Sequence, residues 1–321
     1  MNRLLCFALI AMPLCSAVER TDSTPPGDLI LWVPHTMTTS DWIWGPGGEQ
    51  RSPAPPFRFI RENMGGTNPK VDVRDAAGRK WIVKFGGEVH TDVFASRLLY
   101  ATGYFAEPTY FVAEGVIEGA DGLRRAKPFI GRDGRFRNAR FKLRDNHLQY
   151  ADQYKWSWVE SPFLGSHQSN GLRILMMLVS NWDGKDARDA EGSNTAVFRE
   201  RDANPPVYLY AMNDWGASLG SWGGFFKRGR WDIHAYERQT PLFVKRVQAG
   251  HVVWGYSGKH GEDIAAGITV DDVRWLLPYL TAITDEQLRT GLRASGAAPA
   301  TAVRFTRAIR NRIGQLQRIA E

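Results

Sequence analysis

The sequence predicts an α+β protein of two lobes: a small antiparallel β lobe carrying one helix, then a larger, mainly helical lobe. Three observations predict it. Period-two apolar alternation dominates residues 57–125, helical periodicity dominates residues 126–321, and both regions end apolar runs in loops that hold Lys, Asp or Asn. At 321 residues, 43% hydrophobic and 23% charged, the chain has the length and composition to bury a large core.

Residues 1–17, MNRLLCFALIAMPLCSA, have the form of a signal peptide: Arg3, a short apolar run from Leu4 to Leu14, and a small-residue end with cleavage after Ala17. Attachment of lipid at Cys15 is the competing reading, which the bulky Leu14 fits poorly. Either way the chain is expected outside the cytoplasm, periplasmic or extracellular. Cys6 and Cys15 are its two cysteines, so no disulfide is expected in the mature part. Residues 18–56 carry TPPGD, GPGG and SPAPP, an irregular stretch expected to drape over the body through a few Trp anchors.

From Phe57 the pattern reads strand, glycine loop (Gly65-Gly66-Thr67), strand (KVDVRD), tight turn, strand (RKWIVKF). TDVFASRLLYATGY, residues 91–104, changes to a helical period, with Thr91 as N-cap and Gly103 as stop. EPTYFVAEGVIEG returns to strand and ends the first lobe near 125. In the second lobe SHQSNGLRILMMLVSN reads as a buried helix and VYLYAMND as a strand. TVDDVRWLLPYL, TDEQLRTGLRAS and PATAVRFTRAIRNRIGQLQRIA read as closing helices, two of them opened by Thr before acids.

The polar residues at these element ends share one chemistry. Lys84 ends a strand, and Glu88 and Asp92 open the helix after it. Asp183 and Lys185 follow the buried helix in NWDGKD, Asn194 lies in a Gly-Ser turn, and Asp214 precedes Trp215-Gly216. Phosphoryl transfer needs a lysine on the nucleotide phosphates held by a helix acid, a carboxylate at the nucleophile, and an Asn and an Asp on a metal. A carboxylate and an amide oxygen are the hard ligands that suit Mg2+ or Mn2+ beside phosphate.

On WIVKF, NWDGKD and NDWG the chain resembles the protein-kinase-like superfamily, and within it the atypical HipA-like branch; it is also similar to uncharacterised exported bacterial proteins sharing NWD-x-KD and DWG. The resemblance spans residues 57–220. It implies a two-lobed protein-kinase-like fold that binds ATP with Mg2+ or Mn2+. Lys84 would contact phosphate, Asp92 or Glu88 would pair with it, and Gly65, Gly66 and Thr67 would form the nucleotide loop. Asp183 would be the base, Lys185 would steady the transferred group, and Asn194 and Asp214 would hold the metal. The sequence departs from the pattern at Arg188, which stands where the family's metal asparagine is usual, and at Asp92, shorter than the usual glutamate. The acceptor is open: a protein, a glycan or a small molecule.

Other classes find less support. The seven histidines form no i, i+4 pair, and no cysteine nucleophile is expected in the mature part. The formal charge of +7 favours anionic partners, but no nucleic-acid motif accompanies it, so none is expected. Two other readings stay open: a kinase-like module that has lost catalysis, and a carbohydrate-binding envelope protein using its twelve tryptophans. HVVWGYSGKH reads as a hairpin, with Tyr256, Ser257 and Lys259 as alternative cleft residues. The Arg-rich last helix, with Val303, Ile309, Ile313 and Leu316 on one face, is expected to pack on the second lobe rather than on a membrane.

Overall fold

Alternating side chains from residue 57 onward build the first lobe. The computed structural model describes residues 24–185, 188–223 and 228–321; the expected signal peptide, with Cys6 and Cys15, lies outside them. After β1 (Asp28–Ile30) and the one-turn helix α1 (Asp41–Trp44) come β2 (Phe57–Asn63), β3 (Lys70–Arg74), β4 (Lys80–Lys84), helix α2 (Val89–Ala101), β5 (Thr109–Glu118) and β6 (Arg135–Leu143). The five strands β2 to β6 close into a barrel in the order β2-β3-β4-β6-β5. Its interior is filled by Val71, Val73, Trp81, Val83 and Phe141, all fully buried, as every second residue of a half-buried strand should be.

Two expectations change here. The barrel needs β6, so the first lobe runs to Leu143 rather than ending near 125. The closing pair, β2 with β5, is parallel, so the lobe is not wholly antiparallel. Closure removes the unpaired edges that an open sheet would leave. Helix α2 also starts earlier than expected, with Glu88 at its N-cap. Thr91, the expected cap, instead donates its hydroxyl to the carbonyls of Glu88 and Gly216.

The second lobe contains β7 (Leu148–Tyr150), α3 (His167–Leu178), β8 (Thr195–Glu200), β9 (Val207–Met212), β10 (Ser221–Trp222), β11 (Arg228–Gly229) and α4 (Ile233–Gln239). It continues with β12 (Val244–Gln248), β13 (His251–Trp254), α5 (Gly261–Ala265), α6 (Val270–Ala282), α7 (Asp285–Ala294) and α8 (Pro299–Ala320). Thr269 and Thr284 form full capping boxes at α6 and α7, with Asp272 and Gln287. On α8, Ile309, Ile313 and Leu316 are buried against the lobe while Val303 is 44% exposed, so the apolar seam faces protein.

The N-terminal segment does more than drape. Strand β1 pairs in parallel with β9 and completes the sheet β1-β9-β8-β7 in the second lobe. Trp42 is fully buried against Phe94 of α2. The buried Arg97 guanidinium ties this segment to α2 and β5 by donating to the carbonyls of Trp42, Ile43, Val93 and Thr109. A buried cation is tolerated only when its donors are used in this way. The fold is the two-lobed α+β class predicted from sequence.

Candidate active site

Alternation along β4 buries Trp81 and Val83 in the barrel and turns Lys84 to the outer face, where α2 packs. Lys84 Nζ lies 2.5 Å from Glu88 Oε2 and 3.3 Å from Asp92 Oδ2. Both candidate helix acids therefore engage the lysine, and the alternative between them dissolves. Each acid also holds a second cation. Asp92 Oδ2 accepts from Arg140 Nη1 at 3.0 Å, and Glu88 pairs with Arg230. Arg140 sits directly across from Lys84 in the β4–β6 register, a cross-strand neighbour that sequence spacing does not disclose.

Burial by itself would lower the Lys84 pKa, but Asp92, Asp214 and Glu88 outweigh it and Arg140, holding the ammonium above its ordinary value. Asp92 is displaced the opposite way: burial would raise it, and Lys84 and Arg140 pull it below the usual carboxylate range. Lys84 and Asp214 lie close enough for each to act on the other's charge.

Asp214 follows β9. Its Oδ1 accepts from Gly216 N at 2.9 Å, closing the Asp-Trp-Gly turn. Gly216 leaves room for the Glu88 side chain: a Cβ there would stand 2.5 Å from the Glu88 carboxyl carbon, so the carboxyl would have to shift. The turn is thus docked onto the start of α2, and the Thr91 hydroxyl bonded to the Gly216 carbonyl adds a second tie. Burial raises the Asp214 pKa, and the neighbouring Asp92 and Glu88 carboxylates add to this against the pull of Lys84. An extra cation would relieve that charge.

Asp183 is brought to Asp214 by Asn181, a fully buried residue of the same NWDGKD motif. Asn181 Nδ2 donates to the Asp214 carbonyl at 3.0 Å, and its Oδ1 accepts from Asp183 N at 3.2 Å. Asn194, in left-handed backbone just before β8, donates its Nδ2 to the Asp183 carbonyl at 2.8 Å, and its own carbonyl accepts from Asn213 N at 2.8 Å. The insertion after Arg188 therefore returns Asn194 to Asp183 and Asn213, although Arg188 holds the position usual for the metal asparagine. The amide nitrogen is committed, which leaves the amide oxygen as the donor atom a cation would use.

Lys185 behaves differently from its expected role. It is buried, and its ammonium is engaged by Asp263 at 2.8 Å and Asp189 at 3.7 Å. The cation on the Asp183 carboxylate is Lys259, with Nζ 2.6 Å from Oδ1.

Gly65, Gly66 and Thr67 form an exposed loop between β2 and β3, with Gly66 at φ 70°. Arg125 braces it by donating to the carbonyls of Met64 and Thr67. The loop stands at the Lys84 end of the barrel, since Lys70 lies across from Lys84 and Phe85 N donates to Pro69 O at 3.0 Å. That end is strongly cationic. Burial, then Lys84 and Arg140, push the Lys70 pKa below its ordinary value.

Among the described residues no group of three or more His, Cys, Asp or Glu side chains is arranged to hold a metal. The Asp214 carboxylate and the Asn194 amide oxygen are hard donors by chemistry, of the kind that would suit a cation taking its remaining ligands from phosphate and water. Of the twelve tryptophans, seven are buried and five half-buried.

No family model and no curated protein matches the chain. A solved structure, the Golgi casein kinase with Mn/ADP bound, is similar at 12% identity and a TM-score of 0.41, over 84% of this chain and 73% of that one. So distant a likeness assigns no residue a role; the geometry above stands apart from it.

Proposed function

We propose that the protein binds a nucleoside triphosphate with Mg2+ or Mn2+ between its lobes and transfers the terminal phosphoryl group to an acceptor, as an atypical, HipA-like kinase. The observation that carries this reading is that Lys84, paired with Asp92 and Glu88, lies within charge range of Asp214, whose backbone Asn181 ties to that of Asp183. In it Lys84 contacts phosphate, and Asp92 and Glu88 hold its ammonium in place and charged. The cationic end of the barrel, under the Gly65–Thr67 loop, receives the rest of the triphosphate. Asp214 and Asn194 hold the metal, which would neutralise phosphate charge. Asp183 orients the acceptor hydroxyl and takes its proton as the new O–P bond forms and the diphosphate leaves with the electrons of the broken one. Positioning and charge neutralisation lower the barrier. The signal-like N-terminus makes export part of the proposal, with an acceptor in the cell envelope or beyond it.

A second reading is favoured by the engagement of Lys185 with Asp263: a kinase-like module that binds nucleotide without turning it over. One experiment separates the two. Thermal unfolding is followed with and without Mn2+ and ATP, and ADP release is measured on the same samples. Stabilisation with ADP release supports transfer, stabilisation alone supports the module, and no stabilisation rejects both.

A further inference from the structure

We infer that Lys259, from the loop after β13, is the positioning residue of the transfer site, in the role the motif assigned to Lys185; the inference rests on the function proposed above.

Three sets of contacts motivate it. First, Lys259 Nζ lies 2.6 Å from Asp183 Oδ1, while Lys185 is occupied by Asp263 and Asp189. Second, the ammonium stands 5.7 Å from the ring centroids of both Trp182 and Trp222, which stack at 5.0 Å. Two aromatic faces bias where a flexible lysine rests. Third, the loop is sewn to the Asp183 segment by its backbone. Lys259 N donates to the Trp182 carbonyl at 2.9 Å, and the Tyr256 hydroxyl donates to the Asn181 carbonyl. Gly258 permits the tight path, because a Cβ there would sit 2.2 Å from the Tyr256 hydroxyl oxygen.

Stability does not account for this construction. The two side chains are 31% and 36% exposed, and ion pairs so open to water add little to folding. Two rings, a backbone bond and the Tyr256 hydroxyl therefore hold a cation whose place matters more than its contribution to stability. An ammonium has three donors. One holds the Asp183 carboxylate in a single orientation, and two remain for oxygens of the transferring group. Lys259 keeps its proton throughout, and its part is to aim the base.

The test uses the full chain with Mn2+ and ATP, reading ADP release, the KM for ATP and ligand-induced thermal stabilisation. Lys259→Met is expected to lower kcat about 100-fold or more, the low end for loss of a positioned base, with KM changed less than about threefold. Lys259→Arg should restore much of the loss, because a guanidinium can still reach the carboxylate. A purely structural lysine would alter thermal stability and leave kcat of the folded protein unchanged. If the wild type turns over and Lys259→Met matches it, the inference fails and the functional reading survives. If the wild type binds without ADP release, or does not bind at all, both fail.

Discussion

The sharpest test of the site is Asp214→Asn. Asparagine keeps an oxygen to accept from Gly216 N, so the Asp-Trp-Gly turn loses no hydrogen bond. It removes a negative charge from a place where burial, Asp92 and Glu88 all disfavour one. The free protein should therefore keep its stability or gain some. Ligand binding should behave in the opposite way. At a Mn2+–ATP concentration about 100 times Kd, the wild type gains about 2.7 kcal/mol, or about 5 °C in Tm at roughly 2 °C per kcal/mol. Removing one charge of a buried pair costs about 3–5 kcal/mol, and even 3 kcal/mol weakens Kd about 160-fold. The same ligand concentration then stands near 0.6 Kd and gives only about 0.3 kcal/mol, under about 1 °C. Differential scanning fluorimetry reads both quantities in one plate. An Asp214→Asn protein with the full wild-type shift would refute the metal assignment. One that unfolds without ligand would refute the claim that the charge is costly to the fold.

Asp183→Ala should abolish ADP release and leave the Mn2+–ATP thermal shift within about 1 °C, since binding rests on other residues; equal turnover in the variant removes Asp183 from the mechanism. Lys84→Met leaves Asp92 with Arg140 and Glu88 with Arg230, so urea unfolding should show a loss of about 1–3 kcal/mol, below that of a buried pair broken outright. The same variant should lose at least about tenfold in nucleotide affinity by calorimetry; unchanged affinity excludes a phosphate contact. The α6 cap supplies a pH test. Burial would raise the Asp272 pKa, but bonds from Thr269, His167 and Asn170 outweigh it and hold it below the ordinary value. Its contribution to stability is therefore complete above the unfolded pKa near 3.9 and is lost as pH falls through the lower folded value. Asp272→Asn should cost about 1.5–3 kcal/mol at pH 7 and flatten the stability curve below about pH 4; a curve parallel to the wild type would remove Asp272 from the acid response.

Placing charge-bearing loops at the ends of rigid elements explains how a strand, a helix start and two turns make one site. Lys84 sits at a strand end, Asp92 in the first turn of α2, and Asp214 in a turn pressed against that helix. None of them has to be held by a long flexible loop. The buried Asn181 then joins Asp214 and Asp183 through a single side chain, so a shift of either moves the other.

Residue order alone was enough for the two-lobed class, the strands around the glycine loop, the buried helix before Asp183 and the helices that close the chain. These follow from local rules of period, capping and turn chemistry, which act over a few residues. Lys84, Asp92, Glu88, Asp183, Asn194 and Asp214 could be proposed as a set from sequence, because each stands at a strand end, a helix start or a turn. Only the tertiary structure decided that Arg140 and Arg230 complete the carboxylate pairs, that β6 closes the barrel and that β1 joins the second sheet. It likewise turned Lys185 to Asp263 and brought Lys259 to Asp183. Those outcomes depend on cross-strand register, on chain closure and on which of several lysines a packed lobe leaves near a given carboxylate. Such choices are set by contacts between residues far apart in the chain, and spacing along it carries no record of them.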